Sequence, residues 1–350
     1  MRKTLLVLSL PFLLCALSHA ASFDCTKAKT AQEKAICGTP QLSAADDQMA
    51  AAYHAWLSAA QPDWAAGIRE NQIVWLRTRD ASCPAGDASN PIPSCLSDIY
   101  KERIEDLQQM VQHFAGITFV SQAFTLTVHD TPDSAPPPGI SEVTPGFGTL
   151  QATWAQASST TPQWTVWNSA VIPAIVQAAN ADESSSAHDW NGIVQPGVDR
   201  DLTFTVERAN TQWVSASIVD FYDGHGAHPT ENSSDFYWML GAQRALKPED
   251  VFLPNSGWDT WMEQRLDSYL HKALDSGSNG NYQSWFPQGD APKELQGLVT
   301  NPGDWKLEPA GFSIFFQPYQ VACYACTPDP MIIPWSQLKP YLQPSFVLPQ

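Results

Sequence analysis

The sequence has few basic residues, and it has no long apolar run after its first 20 residues. It carries 19 Lys and Arg against 36 Asp and Glu, a formal net charge of −17 over 350 residues. A chain this acidic repels the phosphates of nucleic acids and anionic membrane surfaces, so we expect it to bind neither. A membrane-spanning helix needs about 20 consecutive apolar residues, and no later stretch offers them, so no span is predicted.

The sequence also lacks the short motifs of common catalytic and cofactor sites. It contains no phosphate-binding Gly-rich loop, no His-Glu-x-x-His zinc motif and no Ser nucleophile elbow. Carboxylates are plentiful, but no pair is marked out for glycoside hydrolysis. We therefore predict a protein that is not an enzyme and that needs no cofactor.

Residues 1–20 have the pattern of a secretory signal peptide. Arg2 and Lys3 precede an apolar run from Leu5 to Leu17, and the small-residue exit Ser18-His-Ala20 follows. Removal of this segment takes away two basic residues and leaves a net charge of −19, from 17 basic and 36 acidic residues. We predict a periplasmic or secreted protein, exported by a Gram-negative-type cell.

Six cysteines remain after this segment, and an even number in an exported chain indicates disulfide bonds. Local closure favours the pairs Cys25–Cys37 and Cys83–Cys95, although four cysteines allow three pairings. Cys323 and Cys326 form a Cys-x-x-Cys motif, which in redox proteins begins a helix. Here Thr-Pro-Asp-Pro follows and cannot continue a helix, so we predict a structural disulfide.

Apolar residues at helical spacing predict a small helical domain over residues 22–115. Ser43-Ala-Ala-Asp46 has the pattern of a helix start. A second helix is predicted over 64–79, and a third over 96–114 with an apolar stripe that ends at Phe114. Two disulfides would staple this all-α domain.

This domain resembles the LprI-like family, which takes its name from a lysozyme inhibitor. The resemblance rests on Glu33-Lys-Ala-Ile-Cys37, Arg69-x-x-Gln72-x-x-Trp75-Leu76-x-x-Arg79-Asp80-x-x-Cys83 and Cys95-Leu96-x-x-x-Tyr100-x-x-Arg103-Ile104. It implies a protein that binds lysozyme. Arg69, Arg79 and Arg103 fall on family positions; ion pairs with Glu70, Asp80 or Asp98 are favoured for them over ligand contacts.

Residues 116–345 mix strands with helices, which predicts a separate α+β domain with a mainly antiparallel sheet. The segment 213–221 is typical of a strand with both faces covered, and a second strand is predicted over 235–240. Long helices are predicted over 164–181 and 258–273. The proline-rich residues 130–147 are interpreted as a loop or tether.

This second half resembles the RsiV-like domain, found in extracytoplasmic anti-sigma factors and beside some polysaccharide deacetylases. The resemblance rests on Gly224-His-Gly-Ala-His228, Phe236-Tyr-Trp238, Leu246 to Phe252 and Gly311-Phe-Ser-Ile-Phe-Phe-Gln-Pro-Tyr319. It covers roughly residues 119–342. Like the first resemblance, it implies relatives that bind lysozyme.

The candidate binding residues lie in a Gly-rich turn and in a loop that Cys323 and Cys326 would close. They are Tyr222, Asp223, His225, His228, Tyr324 and Pro328. His225 and His228 could bind a metal with nearby aspartates, but no third cluster of ligands stands out, so no metal is predicted. A rigid loop with an aromatic tip loses little entropy on contact, which favours binding.

Three hypotheses follow, in order of preference. The first is a binding protein that inhibits lysozyme, whose cationic charge complements the acidic chain. The second is a cell-envelope module that binds peptidoglycan or another envelope protein without inhibiting lysozyme; the 14 tryptophans could stack on sugars, though most should lie in the core. The third is a hydrolase that uses the histidine turn.

Overall fold

A computed structural model describes residues 21–86, 89–129, 147–179, 193, 196–226, 228–275, 282–286 and 291–350. The predicted signal peptide and nearly all of the proline-rich tether lie outside these residues. The chain divides into two compact units, one reaching Ser58 and including Gln72–Gln109, the other comprising Ala59–Asn71 and Met110–Gln350. We call them the helical unit and the sheet unit. Within the described ranges, no helix has the length and apolar character needed to cross a membrane.

The helical unit is built from α1 (Ala31–Gly38), α2 (Pro40–Ala59), α3 (Ala65–Ser82, from Gln72 onward) and α4 (Ile92–Gln109). A capping box starts α1: the Thr30 hydroxyl accepts the Glu33 N–H, and the Glu33 carboxylate accepts the Thr30 N–H. The core is made of buried residues from α1, α2 and α4: Ile36, Leu42, Met49, Trp56, Leu96, Tyr100 and Leu107. Disulfides join Cys25 to Cys37 and Cys83 to Cys95, which confirms the predicted stapled helical domain.

Two predicted helix limits are wrong. Ser43 does not cap a helix, because α2 already begins at Pro40, a residue suited to a first turn, and Ser43 is buried inside it. The helix predicted to reach Phe114 ends at Gln109. Ala115 and Gly116 follow with φ of 48° and 77°, so the chain turns back and residues 111–114 pair with 117–120 as a hairpin.

The sheet unit contains a seven-stranded sheet with the strands in chain order. Its strands are β1 (Val111–Phe114), β2 (Ile117–His129), β3 (Phe147–Ala157), β4 (Asp199–Ala209), β5 (Trp213–Asp223), β6 (Thr230–Met239) and β7 (Arg244–Ala245). Only the pair β3–β4 is parallel. The mainly antiparallel sheet predicted for this half is thus confirmed.

Both faces of the large sheet are covered. On one face, α5 (Pro162–Ala179) packs Trp167 and Val171 against Phe204 and neighbouring strand residues. On the other face lie α7 (Trp258–Asp275) and a smaller sheet, β8 (Trp305–Glu308), β9 (Gly311–Ile314) and β10 (Met331–Ile333). Along β5, Val214 packs on the face covered by α5, and Trp213 packs on the face covered by α7 and the smaller sheet. This alternation confirms the prediction of a strand covered on both sides.

Four short helices complete the sheet unit: α6 (Pro248–Val251), α8 (Tyr282–Trp285), α9 (Ala291–Thr300) and α10 (Trp335–Leu338). The candidate turn joins β5 to β6 at the end of the large sheet, and the candidate loop lies between β9 and β10. The fold therefore presents both segments from rigid strands.

Candidate functional site

The structure brings the predicted turn and the predicted loop together. The rings of His228 and Tyr324 lie 4.6 Å apart between centroids, tilted by 34°. Tyr319 adds a third ring, 6.0 Å from that of Tyr324, and its hydroxyl lies 3.4 Å from Nε2 of His228. We call His228, Tyr319 and Tyr324 the aromatic cluster. Because 51% of Tyr319 and 39% of Tyr324 are exposed, the cluster offers ring surface to solvent.

Local covalent and hydrogen-bond constraints hold the loop that carries Tyr324. Cys323 and Cys326 are joined by a disulfide that brackets a single 3₁₀ turn, Tyr324–Cys326. The Thr327 hydroxyl lies 3.3 Å from the carbonyl of Cys323 and closes the turn. Tyr319 holds a left-handed φ of 65°, an uncommon conformation for a residue with a side chain. Few alternative backbone states are therefore open to the cluster.

A second group of side chains surrounds His225 on the same turn. His225 has a φ of 53°, and its N–H donates to the Asp223 carboxylate at 2.8 Å. Its Nε2 lies 3.3 Å from a carboxylate oxygen of Asp199, which faces Asp223 directly across the β4–β5 ladder. Two carboxylates opposite each other repel, and the His225 ring lies within 4 Å of both.

The other predicted residues lie beside these groups. Tyr222 is 40% exposed, and its ring covers Gly224, where an added Cβ would come within 3.2 Å of the ring. Pro328 is half-buried in the loop. No local pattern marks Tyr319 as a binding residue, although it ends the motif from Gly311 to Tyr319. Its place in the cluster depends on packing between segments 91 residues apart.

Among the residues that the structure describes, no metal site is found near these histidines. Within the described ranges, no group of three or more His, Cys, Asp or Glu side chains lies close enough to hold an ion. His225 has two carboxylates nearby, while the His228 Nδ1 lies 2.9 Å from the carbonyl of Pro229.

In the helical unit, the family-like polar residues form a buried network. The Tyr100 hydroxyl donates to Asp46 at 2.7 Å and accepts from Arg79 at 2.9 Å. Asp46 also accepts the N–H of Ser22 at 2.7 Å, so the network ties the N-terminal segment to α2, α3 and α4. Burial raises the pKa of Tyr100, which keeps the phenol protonated and able to donate.

The arginines of this network have structural partners. Arg79 pairs with Asp80 at 2.7 Å, as the sequence favoured, whereas Arg103 donates to the amide oxygen of Gln72 at 2.8 Å. Their guanidinium groups lie 5.7 and 5.4 Å from the ring of Trp75. Both are buried and hold the helices together, while Arg69 is exposed and lies in the sheet unit.

A shallow groove of about 400 Å³ marks the surface of the helical unit where α2 and α4 begin. Its lining is mostly small and polar: Thr39, Gln41, Leu42, Pro93, Ser94, Ser97 and Asp98. Asp98 is its only charged residue. The groove is open to solvent.

Comparisons with known proteins place one part of the chain in a family context. No curated protein matches the chain. One similar solved structure is a DUF3298 family protein from Pseudomonas aeruginosa PAO1, with TM-score 0.46 and 14% identity; the match covers 67% of this chain and 98% of that one. Another is a DUF3298 family member from Bacteroides fragilis, with TM-score 0.44 and 17% identity; the match covers 66% of this chain and 96% of that one. The RsiV-like assignment of the second half is not confirmed and stays a prediction.

The family match falls on the helical half. Residues 25–107 match the family model described as "Lysozyme inhibitor LprI". The match starts at the first cysteine of the helical unit and includes Tyr100, Arg79 and Arg103 of the buried network. Residues 25–107 are thus similar in sequence to the lysozyme inhibitor LprI family, and we call them the LprI domain of this longer chain.

Proposed function

We propose that the protein is an extracytoplasmic binding protein that binds lysozyme and inhibits it. The observation that carries this proposal is the match of residues 25–107 to the lysozyme inhibitor LprI family. In the buried network of the LprI domain, the Tyr100 hydroxyl bonds both Asp46 and Arg79, so these polar groups hold the helices together. The described surfaces are suited to contact, so binding is the activity that fits them.

The disulfides support a location outside the cytoplasm. Two of them close loops in the LprI domain, and a third closes the loop of the aromatic cluster. Disulfide bonds persist in oxidising compartments and are rare in the cytosol. Together with the family match, they point to a location outside the cytoplasm, where a lysozyme would be met. The signal peptide predicted over residues 1–20 would provide the export.

The acidic net charge of the chain supports lysozyme as the partner. After the predicted processing the chain carries 36 acidic and 17 basic residues. Lysozymes are cationic, so opposite net charges would steer the two proteins together and raise the association rate. Charge alone gives rate and orientation, and a close-fitting contact must provide the residence time.

We propose the aromatic cluster as a major part of that contact. Tyr319 and Tyr324 present large amphipathic rings on a backbone that is already constrained, so little entropy is lost when a partner covers them. Inhibition would follow if the aromatic cluster occludes the carbohydrate cleft of the enzyme. The groove beside Asp98 in the LprI domain is the competing location for the contact.

A second candidate function is binding of peptidoglycan glycan without inhibition. The exposed tyrosine rings favour it, since aromatic faces stack on sugars as well as on protein. Salt separates the two functions. Steered binding between oppositely charged proteins should weaken as ionic strength rises, while stacking on a neutral sugar should change little.

The test is lysis of a cell-wall suspension by a c-type lysozyme, with and without the purified protein, at about 20 and 150 mM salt. Dose-dependent inhibition that weakens at the higher salt is the expected result. Pelleting of the protein with purified cell wall, without inhibition of c-, g- or i-type enzymes, would replace lysozyme inhibition with the glycan-binding function.

Variants locate the contact. Tyr324→Ala should weaken inhibition about 30-fold if Tyr324 is a central contact worth about 2 kcal/mol. Tyr324→Phe keeps the ring and is the matched control. Ser97→Lys, which adds a long cationic side chain to the groove of the LprI domain, should leave inhibition unchanged. The opposite pattern would move the contact to the LprI groove while keeping the function.

A further inference from the structure

A second concave surface lies in the sheet unit, between α7 and β10. It is a groove of about 550 Å³. One wall is helical and the other is a strand, and the lining residues are Trp261, Gln264, Arg265, Ser268, Tyr269, Met331, Ile332 and Ile333. This groove shares no residue with the aromatic cluster or with the LprI domain.

The strand wall has an unpaired edge. β10 is the terminal strand of the small sheet and pairs with β9 through all three of its residues. Among the described residues, no strand lies on its other side. An exposed edge of this kind offers free backbone N–H and C=O groups to an extended chain.

The side chains of β10 alternate between buried and exposed, so the strand is anchored while one apolar side chain stays accessible. Met331 and Ile333 are buried and anchor the strand, whereas Ile332 between them is 66% exposed, the largest value among the exposed large apolar residues described. Pro330 and Pro334 flank the strand. Since proline lacks an N–H, pairing is restricted to a short segment of about three residues.

The helical wall carries one cation and no anion. Arg265 is the only charged residue of the lining, and its guanidinium lies 4.8 Å from the centre of the Trp261 ring. No carboxylate of the described residues lies within 4 Å of it, in a chain with nearly twice as many acidic as basic residues. The ring holds the guanidinium in place, where it can form a bidentate pair with a carboxylate.

The two walls are tied to each other. The Tyr269 hydroxyl of α7 donates to the backbone carbonyl of Asp329, just before β10, at 2.7 Å. Both walls also belong to one hydrophobic cluster, through Leu266 of α7 and Ile333 of β10. The width of the groove is therefore set by the folded core.

We propose that this groove binds an extended peptide that adds one short strand to β10 and places a carboxylate on Arg265. The strand edge provides the backbone hydrogen bonds, Ile332 and Trp261 provide apolar contacts, and Arg265 selects an acidic group. The carboxylate is either the C-terminus of the partner chain or an Asp or Glu side chain. This interaction is separate from the proposed inhibition of lysozyme.

The experiment is an array of immobilised octapeptides with alternating valine and threonine, with and without one Glu. Each is made once with a free C-terminal carboxylate and once with a C-terminal amide. The labelled, processed protein should be retained by peptides that bear a carboxylate. Binding that survives amidation only when Glu is present assigns the side chain, and binding that needs the free C-terminus assigns the terminal group.

Variants make the outcome decisive. Arg265→Gln and Ile332→Lys should each reduce retention about tenfold or more, the loss expected for a charge-assisted hydrogen bond or a central apolar contact. Lys272→Gln, on the same helix but outside the groove, removes the same charge and should have no effect. The proposal is overturned if no peptide retains the wild type, or if the groove variants are retained as well as Lys272→Gln.

Discussion

Asp235 lies inside the sheet unit, where a charge is unfavourable. Its carboxylate accepts the Tyr237 hydroxyl at 2.8 Å. The pKa of Asp235 is raised to about 6, mainly by burial; Glu207 and Glu308 act in the same direction, while the Tyr237 hydrogen bond and Lys306 act against it. We predict that Asp235→Asn, which keeps an acceptor for Tyr237, removes a pH-dependent loss of stability.

The sign follows from the proton that the folded chain holds. An unfolded Asp has a pKa of about 3.9. Between about pH 4 and pH 6 the folded protein keeps a proton that the unfolded chain has lost, so its stability falls as pH rises. A shift of roughly two pKa units corresponds to about 3 kcal/mol. Because the unfolded Asp is already half ionised at pH 4, the free energy of unfolding of the variant, relative to the wild type, should increase by about 2 kcal/mol from pH 4 to pH 7.

Urea unfolding at pH 4, 5, 6 and 7 measures this difference for the wild type and Asp235→Asn. Asp329→Asn, the same substitution at an exposed position, is the matched control. Subtracting the free energy of unfolding of the wild type at each pH removes the contributions of the other titrating groups. A difference for Asp235→Asn that stays within about 1 kcal/mol over this range would show that the folded protein tolerates the buried charge.

Three further predictions concern stability. Tyr100→Phe removes one hydroxyl that bonds two charged partners and should lower the free energy of unfolding by about 3 kcal/mol; urea titration checks it, and a loss below about 1 kcal/mol contradicts it. Replacing Cys83 and Cys95 with Ser should lower the free energy of unfolding by about 3 kcal/mol. Thermal unfolding of the variant and the wild type under oxidising conditions measures this loss. Gly311→Ala would place a Cβ 2.6 Å from a backbone oxygen and should lower the melting temperature, whereas Gly297→Ala, in a helix with open space, should raise it or leave it unchanged.

Local patterns in the sequence were enough for the larger elements. The alternation from Trp213 onward identified β5, because a strand between two packed layers needs apolar residues of both parities. The short spacing of Cys25–Cys37 and Cys83–Cys95 identified the disulfides of the helical domain. The end of α4 was misplaced, because Val111 and Phe114 continue the helical stripe and only the turn at residues 115–116 reverses the chain.

The candidate sites were less accessible from the sequence. His228 and Tyr324 were both singled out, but their contact and the addition of Tyr319 depend on tertiary packing between β5–β6 and the segment before β10. The buried network of Asp46, Tyr100 and Arg79 joins three helices, and no local spacing relates those residues. The groove between α7 and β10 arises from two elements about 60 residues apart. Periodicity reports what each element buries and is silent on which elements meet.

The disulfides also bear on how the chain matures. Their partners are separated by 12, 12 and 3 residues, and no pair encloses another. As the chain is synthesised from its N-terminus, Cys25 meets Cys37 before Cys83 exists, and Cys83 meets Cys95 before the last pair exists. The order of emergence alone thus selects the native pairing. We expect this protein to reach its oxidised form without the reshuffling that interleaved disulfides require.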